Sequence, residues 1–276
     1  MKKYLFMAVA GMLALSSCSN DSDELVINET PHKMTFTAGY ADGDVTRAAI
    51  HADKSVTWEA DDNISILSAK NANAKFTTSA GGATADFTGE AVDDSKFYAV
   101  YPYGSYTLDG TTIKGIQIGC QQKNDDLFRV LDANEKWGWD KNSAIAVAEA
   151  GPGEALSFKN ICAVLKVRID PSKSPMSMLT NGTVKVQATE NMCGTFDYDT
   201  TTGTISNISD GNNYVQVTTI LGLAARNVYI SIIPGTYSNF KLTVSEDMCT
   251  PITKTKSSVT FEAGKVYDLG SHAPKL

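Results

Sequence analysis

Apolar and polar residues alternate with a period of two through most of this chain, and that alternation constrains the fold more than any motif does. In the second half Ala163, Leu165, Val167 and Ile169 face one way, with Lys166 and Arg168 between them. Val184, Val186 and Ala188 repeat the pattern, as do Val228, Ile230 and Ile232, and then Phe240, Leu242 and Val244. Such spacing puts the apolar set on one face of a half-buried strand. Val259 and Phe261 open a final pair of strands that residues 263–269 complete. In the first half the same reading gives strands at 33–40, 55–58, 64–67, 75–78, 85–88 and 96–101. Pro102 closes the last of these, because proline cannot donate to a sheet ladder. The pattern weakens across 125–150, where 127–131 reads as a short helical or irregular turn. No segment sustains a helical period. Gly151-Pro152-Gly153-Glu154 is the clearest break. The expected fold is therefore all-β, with two antiparallel β-sandwich domains at 33–153 and 154–276.

Residues 1–17 stand outside this pattern. Lys2 and Lys3 precede an uncharged apolar run over 4–15, which ends in Leu15-Ser16-Ser17-Cys18. The run is shorter than the roughly 20 residues a spanning helix needs, and its order is that of an export signal. The ending resembles the lipobox of bacterial lipoproteins, in which the peptide is cut before the cysteine and the cysteine is acylated. The expectation is a mature chain that begins at lipidated Cys18 and is tied to a membrane. Residues 18–32 form a tether made acidic by Asp21, Asp23, Glu24 and Glu29, a patch that also resembles the surface-export signal of Bacteroidota lipoproteins. The formal charge of the whole chain is −7, and losing Lys2 and Lys3 with the leader takes it to −9. No basic cluster remains to mark a nucleic-acid partner. An acidic chain gains nothing from anionic lipid, so membrane attachment falls to the acyl chains.

Catalytic chemistry finds few candidates. His32, His51 and His272 lie in segments that read as linker or tail, and none accompanies a nucleophile in a recognisable setting. There is no G-x-S-x-G elbow, H-E-x-x-H helix, P-loop or dinucleotide fingerprint. The expectation is a non-enzymatic protein without cofactor or metal. Asp61-Asp62 and Asp125-Asp126 are tempting carboxylate pairs, but Asp caps turns through its side chain, and neither pair sits in a loop with calcium-ligand spacing. Cys120, Cys162, Cys193 and Cys249 allow three pairings if all four are paired. Their wide spacing lacks any CxxC, and the reading favours free buried thiols over disulfides without settling the pairing. Trp58 reads as core. Trp137 and Trp139, two apart in a polar stretch, would share a face if extended and could contact a glycan.

Several weak motifs in a fixed order give a more specific reading. After the lipobox and tether come a short strand with Phe36, a Thr46-Arg47 step, and Val56-Thr57-Trp58 with Asp61-Asp62-Asn63-Ile64-Ser65-Ile66. Phe97-Tyr98-Ala99-Val100-Tyr101-Pro102 follows. The second half opens on Leu156-Ser157-Phe158-Lys159-Asn160 and Ala163-Val164-Leu165-Lys166-Val167, and ends on Phe261-Glu262-Ala263-Gly264-Lys265-Val266-Tyr267. Together these resemble the fimbrillin family of Bacteroidales, the subunits and accessory proteins of type V pili.

The resemblance implies two transthyretin-like sandwich domains and a structural or accessory subunit of a fimbria at the outer-membrane surface, serving adhesion. Its partners would be other fimbrial subunits, the outer membrane through the lipid, and host or bacterial surface ligands. It also implies assembly by strand exchange after a surface protease cuts behind an arginine. Carried onto this chain, the cut falls between Arg47 and Ala48, and the removed strand is 33–40 with Met34, Phe36 and Ala38 facing inward. One departure stands out, since only seven residues follow Leu269. Donation would require peeling out 258–269, or a place at the tip or base of the fibre. The alternative reading is a lipid-anchored glycan-binding β-sandwich protein of a polysaccharide-uptake system, acting through Trp137 and Trp139.

Overall fold

The computed structural model describes residues 30–41, 57–123, 140–170, 180–221, 225–247 and 249–273. Most of the alternating segments become strands, although of the one expected at 55–58 only 57 and 58 are described and Trp58 makes a single bridge to Gly82; the described residues contain no α-helix. In chain order the first strands are β1 (His32–Tyr40), β2 (Asn63–Leu67), β3 (Ala74–Thr77), β4 (Ala85–Ala91) and β5 (Phe97–Tyr101). They are followed by β6 (Thr107–Asp109), β7 (Thr112–Ile118), β8 (Gln121–Lys123), β9 (Ala146–Ala150) and β10 (Leu156–Asn160). Seven of these close into a barrel in the order β1-β10-β9-β5-β2-β3-β4, with β4 returning to β1. Its interior is aromatic: Phe36, Trp58, Phe76, Phe87, Phe97 and Phe158 are all buried. Trp58 sits among Phe87, Tyr101 and Phe158 with ring centroids 4.9, 5.3 and 5.3 Å away. Its indole N–H donates to the Ala38 carbonyl at 2.9 Å, which removes the penalty of burying a lone donor.

The rest of the chain supplies β11 (Ala163–Ile169), β12 (Thr180–Gln187), β13 (Cys193–Asp199), β14 (Thr204–Asn212) and β15 (Tyr214–Leu221). After them come β16 (Arg226–Ile232), β17 (Gly235–Glu246), β18 (Ile252–Phe261) and β19 (Val266–His272). They form sheets ordered β16-β11-β19, β18-β17-β12-β15-β8 and β14-β13-β7-β6. The alternating valines, isoleucines and leucines of β11, β12 and β17 fill one core between them. Leu67, Tyr98, Val100 and Val147, from the outer face of the barrel, join that same core. Burial on both faces explains why all five residues of β5 are apolar and inaccessible.

Strand pairing departs from the expected division at 153/154. Gly151-Pro152-Gly153 is a hairpin turn between β9 and β10, which pair antiparallel through Val147–Lys159 and Ala146–Asn160. Gly153 adopts φ +75° there, and the Glu154 carboxylate accepts the Gly151 N–H at 2.8 Å. The strand after this turn therefore completes the barrel, while β6, β7 and β8 before it pair with β13 and β15. A tight turn and a linker look alike in sequence when both are rich in glycine and proline. Pairing direction also departs from the all-antiparallel expectation, since β1/β10, β11/β19 and β8/β15 run parallel. The first unit is a closed sheet rather than an open sandwich, because β1 bridges what would otherwise be the free edges of β4 and β10.

The cysteine reading needs correction as well. Cys120 and Cys193 form a disulfide with a Cα–Cα distance of 5.4 Å, while Cys162 and Cys249 are free. The bridged pair is separated by 73 residues, but β7 and β13 pair Ile118 with Gly194, and that register brings the two thiols together.

Candidate strand-exchange site

The first described strand is also the one that closes the barrel. On one side β1 pairs antiparallel with β4 over seven positions, from His32–Ala91 to Ala38–Ala85. On the other it pairs in parallel with β10 at Ala38, Gly39 and Tyr40 only, extended by the Ala41 N–H donating to the Phe158 carbonyl at 3.0 Å. The amino-terminal part of β1 is thus hydrogen-bonded within the sheet along one edge, and its last residues along both.

Of the residues expected to face inward, Phe36 and Ala38 are buried, at 3% and 0% exposure, and Met34 packs partly buried against the barrel core. Phe36 lies 5.5 Å from the Phe76 ring and 5.1 Å from the Phe97 ring. Tyr40 completes the inward set, 4.6 Å from Trp58 and 5.9 Å from Phe158. The outward residues make polar ties to β4: Thr35 bonds Thr88 at 3.1 Å, and Thr37 donates to Asp86 at 2.6 Å. His32 lies 3.4 Å from the Asp93 carboxylate at the strand's start. Periodicity alone identified Met34, Phe36 and Ala38. Tyr40 has the same parity, but its aromatic partners come from β10 and from Trp58, which no local pattern reveals.

Without β1, the edge of β4 and the ring faces of Trp58, Phe76, Phe97 and Phe158 lose their cover. An unpaired edge beside an apolar trough recruits another strand, and a replacement restores main-chain hydrogen bonds while filling alternate side-chain pockets. A segment that replaced β1 would meet pockets now filled by Met34, Phe36, Ala38 and Tyr40, in the order large, large, small, large.

Other sequence candidates lie elsewhere. Asp62 is a turn residue: it accepts the Glu59 N–H at 2.8 Å and the Tyr101 hydroxyl at 3.2 Å. Asp61 beside it holds φ 71°. Cys18, Arg47, Ala48, Asp125, Asp126, Trp137 and Trp139 lie outside the described residues, as does the turn read at 127–131. Among the described residues no group of three or more His, Cys, Asp or Glu side chains is arranged to hold a metal.

A protein-family model described as fimbrillin-like matches residues 46–273. No curated protein sequence matches the chain. Among solved structures it is similar to a candidate cell adhesion protein from Bacteroides uniformis, at 18% identity over 87% of this chain and 93% of that one, with a TM-score of 0.52. A candidate cell adhesion protein from Bacteroides ovatus aligns at 15% identity over 87% and 91%, with a TM-score of 0.49. A fimbrial assembly protein from Parabacteroides distasonis aligns at 10% identity over 87% and 90%, with a TM-score of 0.37. At 18% identity the likeness to the Bacteroides uniformis protein speaks to the fold alone.

Proposed function

The chain belongs to the fimbrillin-like family, and from that premise we propose that it is a structural or accessory subunit of a cell-surface fimbria. In this reading it is exported as a lipoprotein through Cys18 and accepts a neighbour's strand at the barrel seam once β1 has been removed. The observation that carries the reading is the position of β1, which closes the barrel from the amino-terminal side of the Arg47–Ala48 bond. One cut at that bond releases the strand, the tether and the lipid together. The family-model match itself begins at residue 46, after β1.

The carboxyl-terminal strand is better built to stay than to leave. β19 pairs in parallel with β11, and its Tyr267 ring packs 4.9 Å from Phe261. Peeling out 258–269 would also strip Phe261 from the Tyr237 and Phe240 rings, 6.0 and 5.3 Å away, so this subunit acts first as an acceptor. Its partners are other fimbrial subunits, and its place is the outer cell surface, in the service of adhesion.

Intact mass and amino-terminal sequencing of the protein from its native surface test the proposal. A chain that begins at Ala48 without lipid, and that binds a synthetic peptide of residues 32–41 to close the barrel again, is the expected result. A chain that begins at acylated Cys18 and keeps β1 in the assembled fibre would overturn strand removal. An uncleaved precursor, retained by substituting Arg47, that carries no acyl group on Cys18 would overturn the lipoprotein route.

A further inference from the structure

The two sheets that sandwich the second core are unequal, with five strands in β18-β17-β12-β15-β8 and three in β16-β11-β19. The mismatch leaves a groove of about 370 Å³ beside the terminal strand β19, above β17 and β18. Its floor is apolar, formed by Phe240, Leu242 and Val259, with Leu269 at the β19 side. Lys254 and Lys256 of β18 pair with Leu242 and Phe240, so their side chains share the face that looks into the groove, and both line it. Among the described residues no carboxylate is paired with either lysine. Asp268 also lines the groove, but its carboxylate is held by the Lys166 ammonium at 3.1 Å and the Gly270 N–H at 2.8 Å. In a chain of formal charge −7, the groove sets two lysines beside half-buried Val259 and Leu269, over the buried Phe240 and Leu242. Charges that point inward from an edge strand also keep it from pairing with unsuitable strands.

We propose that this groove is a second strand-acceptor site, taking a β-strand from a different polypeptide that carries carboxylates between apolar residues on its inward face. The strand adds to the edge of β19 that no strand among the described residues pairs with, and widens the three-stranded sheet toward its five-stranded partner. Its apolar side chains pack on half-buried Val259 and Leu269, and its carboxylates meet Lys254 and Lys256. A second copy of this chain offers no such strand among the described residues. The edge strands β6 and β8 have three residues each, and β16 and β18 contain no carboxylate. The one carboxylate of β19 is held by Lys166. β14 contains Asp210 but is interrupted by two register shifts against β13. The inference does not depend on the β1 seam, because groove and seam share no strand.

Fluorescence anisotropy tests it with a labelled synthetic peptide that presents Glu and Val on one face and Thr on the other, titrated with the full chain. Saturable binding is expected, weakening with salt and falling at least about tenfold in K254E/K256E and several-fold in the milder K254Q/K256Q. A peptide with Lys in place of Glu should show the reverse preference and bind K254E/K256E. Unchanged circular dichroism and thermal unfolding of both variants show that they fold, as exposed positions should. Absence of saturable binding, or equal binding of both peptides to all three proteins, overturns the proposal. A dimer of the chain alone that K254E/K256E abolishes assigns the groove to a second copy and overturns the proposed occupant.

Discussion

Replacing Phe36 by alanine isolates what β1 contributes to the barrel. The ring is 3% exposed and makes aromatic contacts at 5.5 and 5.1 Å with Phe76 and Phe97. Removing a buried Phe costs about 3–5 kcal/mol, transfer and cavity together, and the walls of a closed barrel have little freedom to collapse into the gap. Thr35→Ala, one position away on the outer face, removes only an exposed hydroxyl pair with Thr88, worth about 0.2–1 kcal/mol. With a urea slope of about 2–3 kcal/mol/M for a chain of this size, F36A should lower the unfolding midpoint by roughly 1–2 M, and T35A by a few tenths. Amide exchange followed by mass spectrometry locates the loss: β1 and the facing residues of β4 should open first in F36A. If F36A and T35A shift the midpoint equally, Phe36 is not the anchor of the seam and the strand-exchange template fails. A chain already processed at Arg47 supplies the control, since F36A cannot change the stability of a form that no longer contains residue 36.

Three further outcomes follow from the same geometry. C120S/C193S removes a bridge spanning 73 residues and should cost about 4 kcal/mol by loop-closure entropy; a loss under about 1 kcal/mol in urea unfolding would mean the bridge does little for the fold. In the native protein at pH 8 an alkylating reagent should modify half-exposed Cys249 and spare Cys162, whose thiol burial pushes up to about 12; labelling of Cys162 before unfolding would refute its burial. Glu149 is opposed by burial, yet Lys96 at 2.7 Å holds its carboxyl below the usual range. A lowered folded value stabilises above the unfolded pKa and is lost as pH falls through the folded one. The stability gap between wild type and K96M should therefore be below about 1 kcal/mol at pH 7, because both groups are a third or more exposed, and should narrow on acidification. A gap that grows as pH falls would reverse the sign of the argument.

Alternation revealed strand and facing but not partner. β1, β5, β11 and β17 were legible because side-chain period is local, and so was the inward set Met34, Phe36 and Ala38. The role of β1 was not, since it depends on β10 arriving from more than a hundred positions later to pair at Ala38–Leu156. The Gly151–Glu154 turn misled for the same reason: its composition marks a reversal and says nothing about which sheet the chain rejoins. The Cys120–Cys193 bridge was hidden because it follows from the β7–β13 register rather than from sequence spacing. Lys254 and Lys256 escaped notice because an alternating lysine on a strand normally faces water. Only the short opposing sheet turns their face into a groove.

The two proposed acceptor surfaces differ in what they would admit, and that difference has a consequence for assembly. With β1 removed as proposed, the seam would be lined by rings and would favour the large, large, small, large pattern of Met34, Phe36, Ala38 and Tyr40; a carboxylate pointing inward there would be buried among apolar side chains, at a cost of several kcal/mol. The groove beside β19 carries two lysines over its apolar floor and favours a strand with inward acid groups. A strand suited to one is penalised in the other, so specificity rests on rejection as much as on fit. A Glu–Val peptide should accordingly leave the opened barrel unoccupied, and a peptide of residues 32–41 should leave the groove empty. Competition between the two peptides for one site would show that the surfaces are not distinct, and the division of labour argued from their linings would fall.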